Sequence, residues 1–477
     1  MTQPRKHYIP EWDAEDTAPW EAGGQQIARR NLIWSVFAEH VGFSIWSVWS
    51  VMVLSMPAAV YGIDAAGKFF LVAVPTLVGA ILRIPYTVAT ARFGGRNWTI
   101  FSALVLLIPT GLTMYFMAHP GTSYTTFVVV AAIAGIGGGN FASSMTNINA
   151  FYPQRLKGWA LGLNAGGGNV GVPAIQLVGL LVIATAGNRS PSMVCAVYLV
   201  LIACAALGAA LFMDNLGGQP TSLRALVDVL RYRDSWVMSI LYIGTFGSFI
   251  GYSFAFGQVL QIHFLADLTH GSTATAAMQS TAALHSAQIA FLGPLLGSVA
   301  RPLGGMLADR IGGGRITFVT FAAMVAAAGL LVAANSGDGS LGPVVIGFIA
   351  LFILSGVGNG STYKMIPAIF AAHSRRIVDE GGSEAAAGAW SRRMSGALIG
   401  LAGAIGALGG VAINLVLRAS YSSPSKSATM AFVVFLGFYM VCAALTWVVY
   451  LRRPRSGRVT STQHSARRPV TAVANDG

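Results

Sequence analysis

The sequence predicts an all-α membrane protein with twelve transmembrane helices in two pseudo-symmetric six-helix halves. Its 477 residues are 54% hydrophobic and only 10% charged, with a mean hydropathy of +0.63, whereas a soluble domain carries about 25% charged residues. Twelve apolar stretches are each long enough to cross a hydrocarbon layer of about 30 Å as a helix. Two motifs of the first six stretches recur in the last six.

The apolar stretches divide the chain into five regions. An N-terminal tail (1–31) precedes the first bundle (32–213), a polar linker (214–235) follows, and the second bundle (236–451) ends in a basic tail (452–477). The predicted spans are 32–56, 69–90, 98–117, 124–150, 157–182, 192–213, 236–260, 284–308, 315–334, 341–370, 394–417 and 428–451.

The net charge of +13 comes from lysines and arginines that sort to one side of the predicted membrane. With the N terminus inside, the tails and even-numbered connections hold most of the 30 basic residues. The positive-inside rule therefore predicts a multi-pass protein of the cell membrane with both termini cytoplasmic, and it explains the charge without a nucleic-acid partner. The first thirty residues show no signal-peptide pattern. The basic residues on the opposite side are Lys68, Arg189, Arg418 and Lys426.

Three cysteines, Cys195, Cys204 and Cys442, lie within predicted spans. An odd set of intramembrane cysteines forms neither a disulfide framework nor a metal-ligand spacing. We interpret them as packing residues, and we expect no metal and no cofactor.

Arg83 and Arg301 lie in two copies of one motif. GAILRIPYTVATARFGG and GSVARPLGGMLADRIGG both place a glycine four residues before the arginine and a second arginine nine residues after it. GIGGGNFASSM in the fourth stretch and GVGNGSTYKM in the tenth repeat at nearly the same interval. Two motifs at one interval predict two parallel halves with a substrate site between them near the midplane.

The two arginines are permanent cations close to mid-depth of the membrane, about 13 Å from the nearer end at the rise of an α-helix. Such a charge costs several kcal/mol unless it faces a cavity or an anionic partner. One alternative is structural pairing, for which Glu39 is the chief acid at that depth. The other is a central site for a small anion, because cations outnumber acids there. A guanidinium matches two oxygens at once, so two facing arginines suit a planar anion such as nitrate.

Aromatic rings and buried amides accompany the arginines. Phe141 lies on the fourth stretch, and Tyr242 and Phe246 lie one helical turn apart on the seventh. Such rings form either core or the walls of a pocket for a flat anion. A buried amide needs partners, which helix contacts or an anion would supply alike. The amides are Asn140, Asn147, Asn164, Asn169 and Asn359.

Glycine-rich segments fill the fourth, fifth, tenth and eleventh stretches, several with the small-xxx-small spacing of close helix packing. We interpret these glycines as packing surfaces that also let helices slide or rock during alternating access. They are Gly137, Gly138, Gly139, Gly162, Gly166, Gly167, Gly168, Gly171, Gly358, Gly360, Gly396, Gly400, Gly406 and Gly410.

These motifs together resemble the bacterial NarK-type nitrate/nitrite transporters of the major facilitator superfamily. The matching segments are GAILRIPY, GGGNFASSMTNI, ALGLNAGGGNVGV, LYIGTFGSFIGYS, ARPLGGMLADRIGG and GNGSTYKMI. The resemblance implies the major facilitator fold and a secondary transporter, hence no enzyme. It also implies that two arginines clamp nitrate or nitrite, that two phenylalanines sandwich it, and that a tyrosine and an asparagine donate hydrogen bonds. The arginines are Arg83 and Arg301, and the phenylalanines are Phe141 and Phe246. The tyrosine is Tyr242 and the asparagine is Asn169.

The coupling mode stays open between two alternatives. Facing cations repel, and a bound anion would let the halves close, which favours nitrate/nitrite exchange by a monomer in the lipid bilayer. The sequence departs from the family at Glu39, His40 and Lys364. Either Glu39 or His40 carries a proton in nitrate symport, or Glu39 only neutralises Lys364 or an arginine. A major facilitator for another small solute is a further alternative.

Overall fold

The computed structural model describes residues 7–186, 190–217, 223–336 and 340–452. Arg189 and the predicted basic tail beyond residue 452 lie outside this part of the chain. The described residues are mostly helical, because a bilayer core offers no water to satisfy backbone polar groups and a helix satisfies them internally.

The prediction of twelve membrane spans is confirmed. Within the described residues, eleven helices are long and apolar enough to cross a membrane, and a bent pair adds the twelfth. A short linker helix, Leu223–Val229, precedes the second half. The spans are α1 (Thr17–Trp46 and, after a bend of 44°, Val48–Ser55), α2 (Ala65–Phe93), α3 (Gly95–Met117), α4 (Tyr124–Phe151), α5 (Gln154–Ala186), α6 (Ser192–Phe212), α7 (Arg233–Thr269), α8 (Ala276–Ile311), α9 (Gly313–Ser336), α10 (Leu341–Asp379), α11 (Glu384–Ser422) and α12 (Thr429–Leu451).

Several helices extend beyond the predicted apolar stretches. α1 begins at Thr17 and not at residue 32, α10 continues to Asp379, and α11 begins at Glu384. A hydropathy window registers only the apolar part of a helix, whereas the backbone hydrogen bonds continue through its polar turns. The first turns of α1 therefore occupy part of the predicted N-terminal tail.

The repeated arginine motif ends α2 and α8 in the same way. α2 is followed by Gly94 at a φ of +87°, and α8 is followed by Gly312 at a φ of +101°. Glycine adopts this left-handed region without the steric cost that a Cβ brings. The glycine pair after the second arginine of each copy is thus a helix stop.

The repeated glycine motif packs α4 on α2 and α10 on α8. A Cβ added at Gly135 would lie 2.8 Å from the carbonyl oxygen of Pro75 on α2, and one at Gly356 would collide with the carbonyl of Gly297 on α8. The two copies therefore hold equivalent helices against the two arginine-bearing helices.

Most of the predicted packing glycines do lie at close helix contacts. A Cβ at Gly410 would lie 3.1 Å from Thr76 of the opposite half. Close contacts also surround Gly137, Gly138, Gly139, Gly167, Gly168, Gly171, Gly358, Gly360 and Gly406. The packing prediction is wrong for four glycines, because an added Cβ would enter open space with no described heavy atom within 4 Å. They are Gly162, Gly166, Gly396 and Gly400.

The linker is tied to the start of α1. Strand β1 (Tyr8–Ile9) pairs in parallel with β2 (Asn215–Leu216). Asp214 accepts hydrogen bonds from Arg30 Nη2 over 2.6 Å and from Asn31 Nδ2 over 2.9 Å. We call this side of the bundle, which also holds the loops after α2 and α8, the linker end. The other side is the far end.

Candidate anion-binding site

Arg83 lies on α2 at the boundary between the two halves and is only 1% exposed. Its Nη1 donates to the carbonyl oxygen of Gly403 on α11 over 2.5 Å. Its Nε and Nη2 are buried and have no hydrogen-bond partner among the described residues. Because an unpaired buried donor is costly, two nitrogens of this guanidinium are available to a further acceptor.

Arg301 faces the same region from α8 of the second half. Its Nη2 donates to the hydroxyl of Tyr242 over 3.4 Å, and its buried Nη1 has no partner in the described chain. Its guanidinium carbon lies 5.4 Å from the ring of Tyr363 on α10. Tyr242 stacks on Phe246, whose ring lies 4.9 Å from the Arg83 guanidinium carbon. These contacts link the two predicted arginines through one buried region between the halves, which we call the chamber.

The predicted aromatic residues surround Arg83. The guanidinium carbon of Arg83 lies 4.7 Å from the ring of Phe141 and 4.9 Å from the ring of Phe246. The two rings, one from each half, have centroids 6.3 Å apart. Tyr242 stacks on Phe246 at 5.3 Å. These are distances at which cation–π attraction acts, so the rings position the cation as well as lining the chamber.

Phe246 lies within a wide helical turn. Residues Ile243–Gly247 of α7 form a π-helical turn directly after Tyr242. Such turns rotate the residues that follow and often occur at functional sites. The turn keeps Tyr242 and Phe246 stacked on one side of α7, where both rings meet the arginines.

Glu39 occupies a closely fitted position in the first half. Its Oε2 accepts hydrogen bonds from Ser144 Oγ on α4 and, over 2.7 Å, from Asn164 Nδ2 on α5. Its Oε1 is buried and unpartnered within the described residues. A Cβ at Gly168 would collide with that oxygen. Gly168 therefore makes the space that admits the carboxyl group between α1, α4 and α5.

Glu39 does not neutralise Lys364, so that interpretation is wrong. Lys364 Nζ lies 2.8 Å from Asp309 Oδ2, and both side chains are at least half exposed. Nor does Glu39 form an ion pair with an arginine in the part of the chain that the structure describes.

His40 and Asn169 make no hydrogen bond to the residues around the arginines within the described chain. His40 Nδ1 lies 3.2 Å from the carbonyl oxygen of Gly167. Asn169 is buried on α5 next to Gly168, and its amide oxygen has no partner among the described residues. No hydrogen bond joins either side chain to Arg83 or Arg301 in the described chain, so their predicted roles stay predictions.

Four hydrogen bonds join the two halves within the described residues. One is the bond from Arg83 to Gly403. The other three lie nearer the far end and come from glutamine Nε2 atoms to carbonyl oxygens. The far end is therefore closed above the chamber. The three pairs are Gln176 with Ser253, Gln258 with Ala65, and Gln261 with Leu54.

The sequence patterns do not predict the contacts that four further residues make at this site. Gly403 contributes a backbone carbonyl, and the Trp46 ring lies 5.5 Å from the guanidinium carbon of Arg83. Ser144 binds Glu39 from within the GGGNFASSM motif. Tyr363 contacts Arg301, although the sequence drew attention to its neighbour Lys364.

The comparisons with known proteins agree with this architecture. The family model described as Major Facilitator Superfamily matches residues 40–380. The nitrate/nitrite transporter NarU of Salmonella typhimurium is 34% identical over 475 residues, covering 95% of this chain and 99% of NarU. The probable nitrate/nitrite antiporter NarK2 of Thermus thermophilus is 31% identical, covering 94% of this chain and 97% of that protein.

Solved structures support the fold alone, because their sequence identity to this chain is low. A D-xylose–proton symporter aligns with a TM-score of 0.61 at 12% identity, covering 88% of this chain and 97% of that chain. The nucleoside transporter NupG aligns with a TM-score of 0.58 at 13% identity, covering 89% and 100%. With the family model and the close relatives, these likenesses place the chain in the Major Facilitator Superfamily and, within it, in the family of the NarU and NarK2 nitrate/nitrite transporters.

Proposed function

We propose that this protein is a secondary transporter that moves nitrate and nitrite across the cell membrane by alternating access, most simply as an exchanger. One observation carries the proposal. Two buried guanidinium groups, one from each half, leave three donor nitrogens without an acceptor inside one chamber. A small oxyanion supplies both the negative charge and the acceptor oxygens that these groups lack.

The aromatic walls favour a flat anion. The centres of the Phe141 and Phe246 rings lie 4.7 Å and 4.9 Å from the Arg83 guanidinium carbon, so an anion that binds this guanidinium lies beside the rings. Nitrate and nitrite are planar, and the named relatives carry them. A sugar or a nucleoside would leave the guanidinium charges without compensation in a low-dielectric chamber.

Exchange follows from the electrostatics of the empty site. Arg83 and Arg301 are both buried cations, and desolvating both without an anion is expensive. A carrier that closes only around its cargo changes sides readily when loaded and reluctantly when empty. Such a carrier trades one anion for another.

The basic loops indicate which side of the membrane each end of the bundle faces. By the positive-inside rule the linker end is cytoplasmic and the far end faces outward. The three glutamine bonds between the halves lie toward the far end. We therefore assign this conformation to the inward-facing part of the cycle, in a protein that works as a monomer in the bilayer.

Uptake into proteoliposomes tests the proposal. Vesicles that contain the full chain are loaded with nitrite or left empty, and external nitrate is followed with and without a pH gradient. Exchange predicts rapid nitrate uptake only with internal nitrite. Failure to take up nitrate under every condition, in vesicles where the protein is inserted, overturns the assignment of the substrate.

A second coupling mode is favoured by the position of Glu39. This carboxyl group is buried in the first half, hydrogen-bonded to Ser144 and Asn164, and forms no ion pair with a described cation. A carboxyl group that is not tied to a cation is free to bind and release a proton. In the proteoliposome assay, proton symport predicts nitrate uptake into empty vesicles when the outside is acidic.

A further inference from the structure

We infer that the hydroxyl group of Tyr363 is a third type of ligand in the chamber, a donor from the second half that favours a three-oxygen anion over a two-oxygen anion. The inference rests on the proposed function. It concerns a residue that the sequence motifs did not single out, and it assigns to that residue the choice between nitrate and nitrite.

The helix contact between α8 and α10 aims Tyr363 at the chamber. Gly360 of α10 lies so close to the backbone carbonyl of Arg301 that a Cβ would collide with it. Residues three positions apart on a helix share a face, so Tyr363 projects from the same face as Gly360. The ring accordingly lies 5.4 Å from the Arg301 guanidinium carbon and 6.4 Å from the Tyr242 ring.

The adjacent residue points elsewhere. Lys364 pairs with Asp309 at a distance of 2.8 Å, and its side chain is 50% exposed. Successive residues on a helix are turned by about 100° from each other, which separates an exposed ion pair from a buried ring. The chamber thus receives the tyrosine and not the lysine.

The Tyr363 hydroxyl is buried and has no hydrogen-bond partner in the described chain. Buried hydroxyl groups normally find partners. The Tyr363 ring lies beside the Arg301 guanidinium and the Tyr242 ring, which both belong to the chamber. An acceptor placed between the arginines would therefore satisfy this donor together with the free nitrogens of both guanidinium groups.

The number of anion oxygens makes this donor selective. The free Nε and Nη2 of Arg83 form a paired donor for two oxygens, which nitrite and nitrate both present. The third oxygen, which only nitrate has, then lies toward the second half, where Arg301 Nη1 and the Tyr363 hydroxyl are the donors without a described partner. A site that provides a hydrogen bond rejects an analogue that lacks the matching atom. Tyr363 supplies that bond from the second half, beside Arg301.

Equilibrium binding to the purified full chain tests the inference with the substitution Tyr363→Phe. This change keeps the ring beside Arg301 and removes only the hydroxyl. Isothermal titration with nitrate and, separately, with nitrite gives two dissociation constants for the same sample. We expect nitrate to bind about tenfold more weakly, as for the loss of a hydrogen bond to a charged group, and nitrite to change less than about twofold. Tyr198→Phe, a buried tyrosine on α6 outside the chamber, is the matched control and should leave both constants unchanged.

The ratio of the two constants protects the test against partial misfolding, because inactive protein lowers the number of sites for both anions alike. No change in the ratio, whether both anions weaken equally or neither weakens, overturns the inference and leaves the proposed function standing. Wild-type protein that binds neither anion overturns both.

Discussion

The guanidinium carbon of Arg83 lies 4.9 Å from the centre of the Phe246 ring, although Arg83 belongs to α2 in the first half and Phe246 to α7 in the second. The same guanidinium donates to Gly403 of α11. One buried cation of the first half is thus held by two elements of the second. Any movement of the halves must break or reform these contacts, which places Arg83 at the moving interface.

Replacing Phe246 by alanine should weaken anion binding by about tenfold. The change removes a cation–π contact of about 0.5–2 kcal/mol and a wall of the chamber. Half-saturation of nitrate uptake in proteoliposomes measures the effect. Phe101→Ala removes an exposed ring on α3 and should leave half-saturation unchanged. Equal values for the two variants would exclude a role for Phe246 in the site.

Gly168→Ala should destabilise the protein, because its Cβ collides with Oε1 of Glu39. Overpacking of a buried site costs about 1–3 kcal/mol. Gly166→Ala on the same helix is the matched control, since a Cβ there meets no described atom within 4 Å. The control should be neutral or stabilising by up to about 1 kcal/mol. Thermal unfolding midpoints in detergent measure both, and a midpoint for Gly168→Ala at or above that of the control would contradict the close fit around Glu39.

Glu39→Gln separates the two coupling modes. Glutamine keeps the size of the side chain and an oxygen for Ser144 and Asn164, but it cannot lose or gain a proton. We expect nitrate/nitrite exchange to survive and any uptake driven by an acidic outside to disappear. The measurement is uptake into nitrite-loaded and empty vesicles with and without a pH gradient. Gradient-driven uptake that persists in the variant would remove Glu39 as the proton site.

The principal site residues could be predicted because their chemistry conflicts with their surroundings. Arg83 and Arg301 are charged residues in apolar stretches, and their repeat indicates facing halves. Both arginines are buried and keep guanidinium nitrogens without a described partner, and their role in binding an anion stays a prediction. The aromatic partners depended on the resemblance to a family, because a phenylalanine in an apolar stretch carries no signal of its own.

Other contacts could not be predicted, because they depend on helix rotation and backbone atoms. The carbonyl of Gly403 has no sequence signature, since every residue carries one. Sequence chemistry favoured Lys364 over Tyr363, but a rotation of one position along α10 puts the lysine in an exposed ion pair and the tyrosine beside Arg301. The sequence favours a cation as the partner of Glu39, whereas the fold supplies hydroxyl and amide donors.

The most direct test of the arginine pair is equilibrium binding of nitrate to purified wild-type protein, to Arg83→Lys and to Arg301→Lys. Lysine keeps the charge but lacks the planar fork, and Arg315→Lys, an exposed arginine on α9, is the control. Because an ammonium group cannot reproduce the directed donors of a guanidinium, we expect either chamber variant to bind nitrate at least about 100-fold more weakly, while the control matches the wild type. Nitrate binding of wild-type strength in both chamber variants would contradict the clamp.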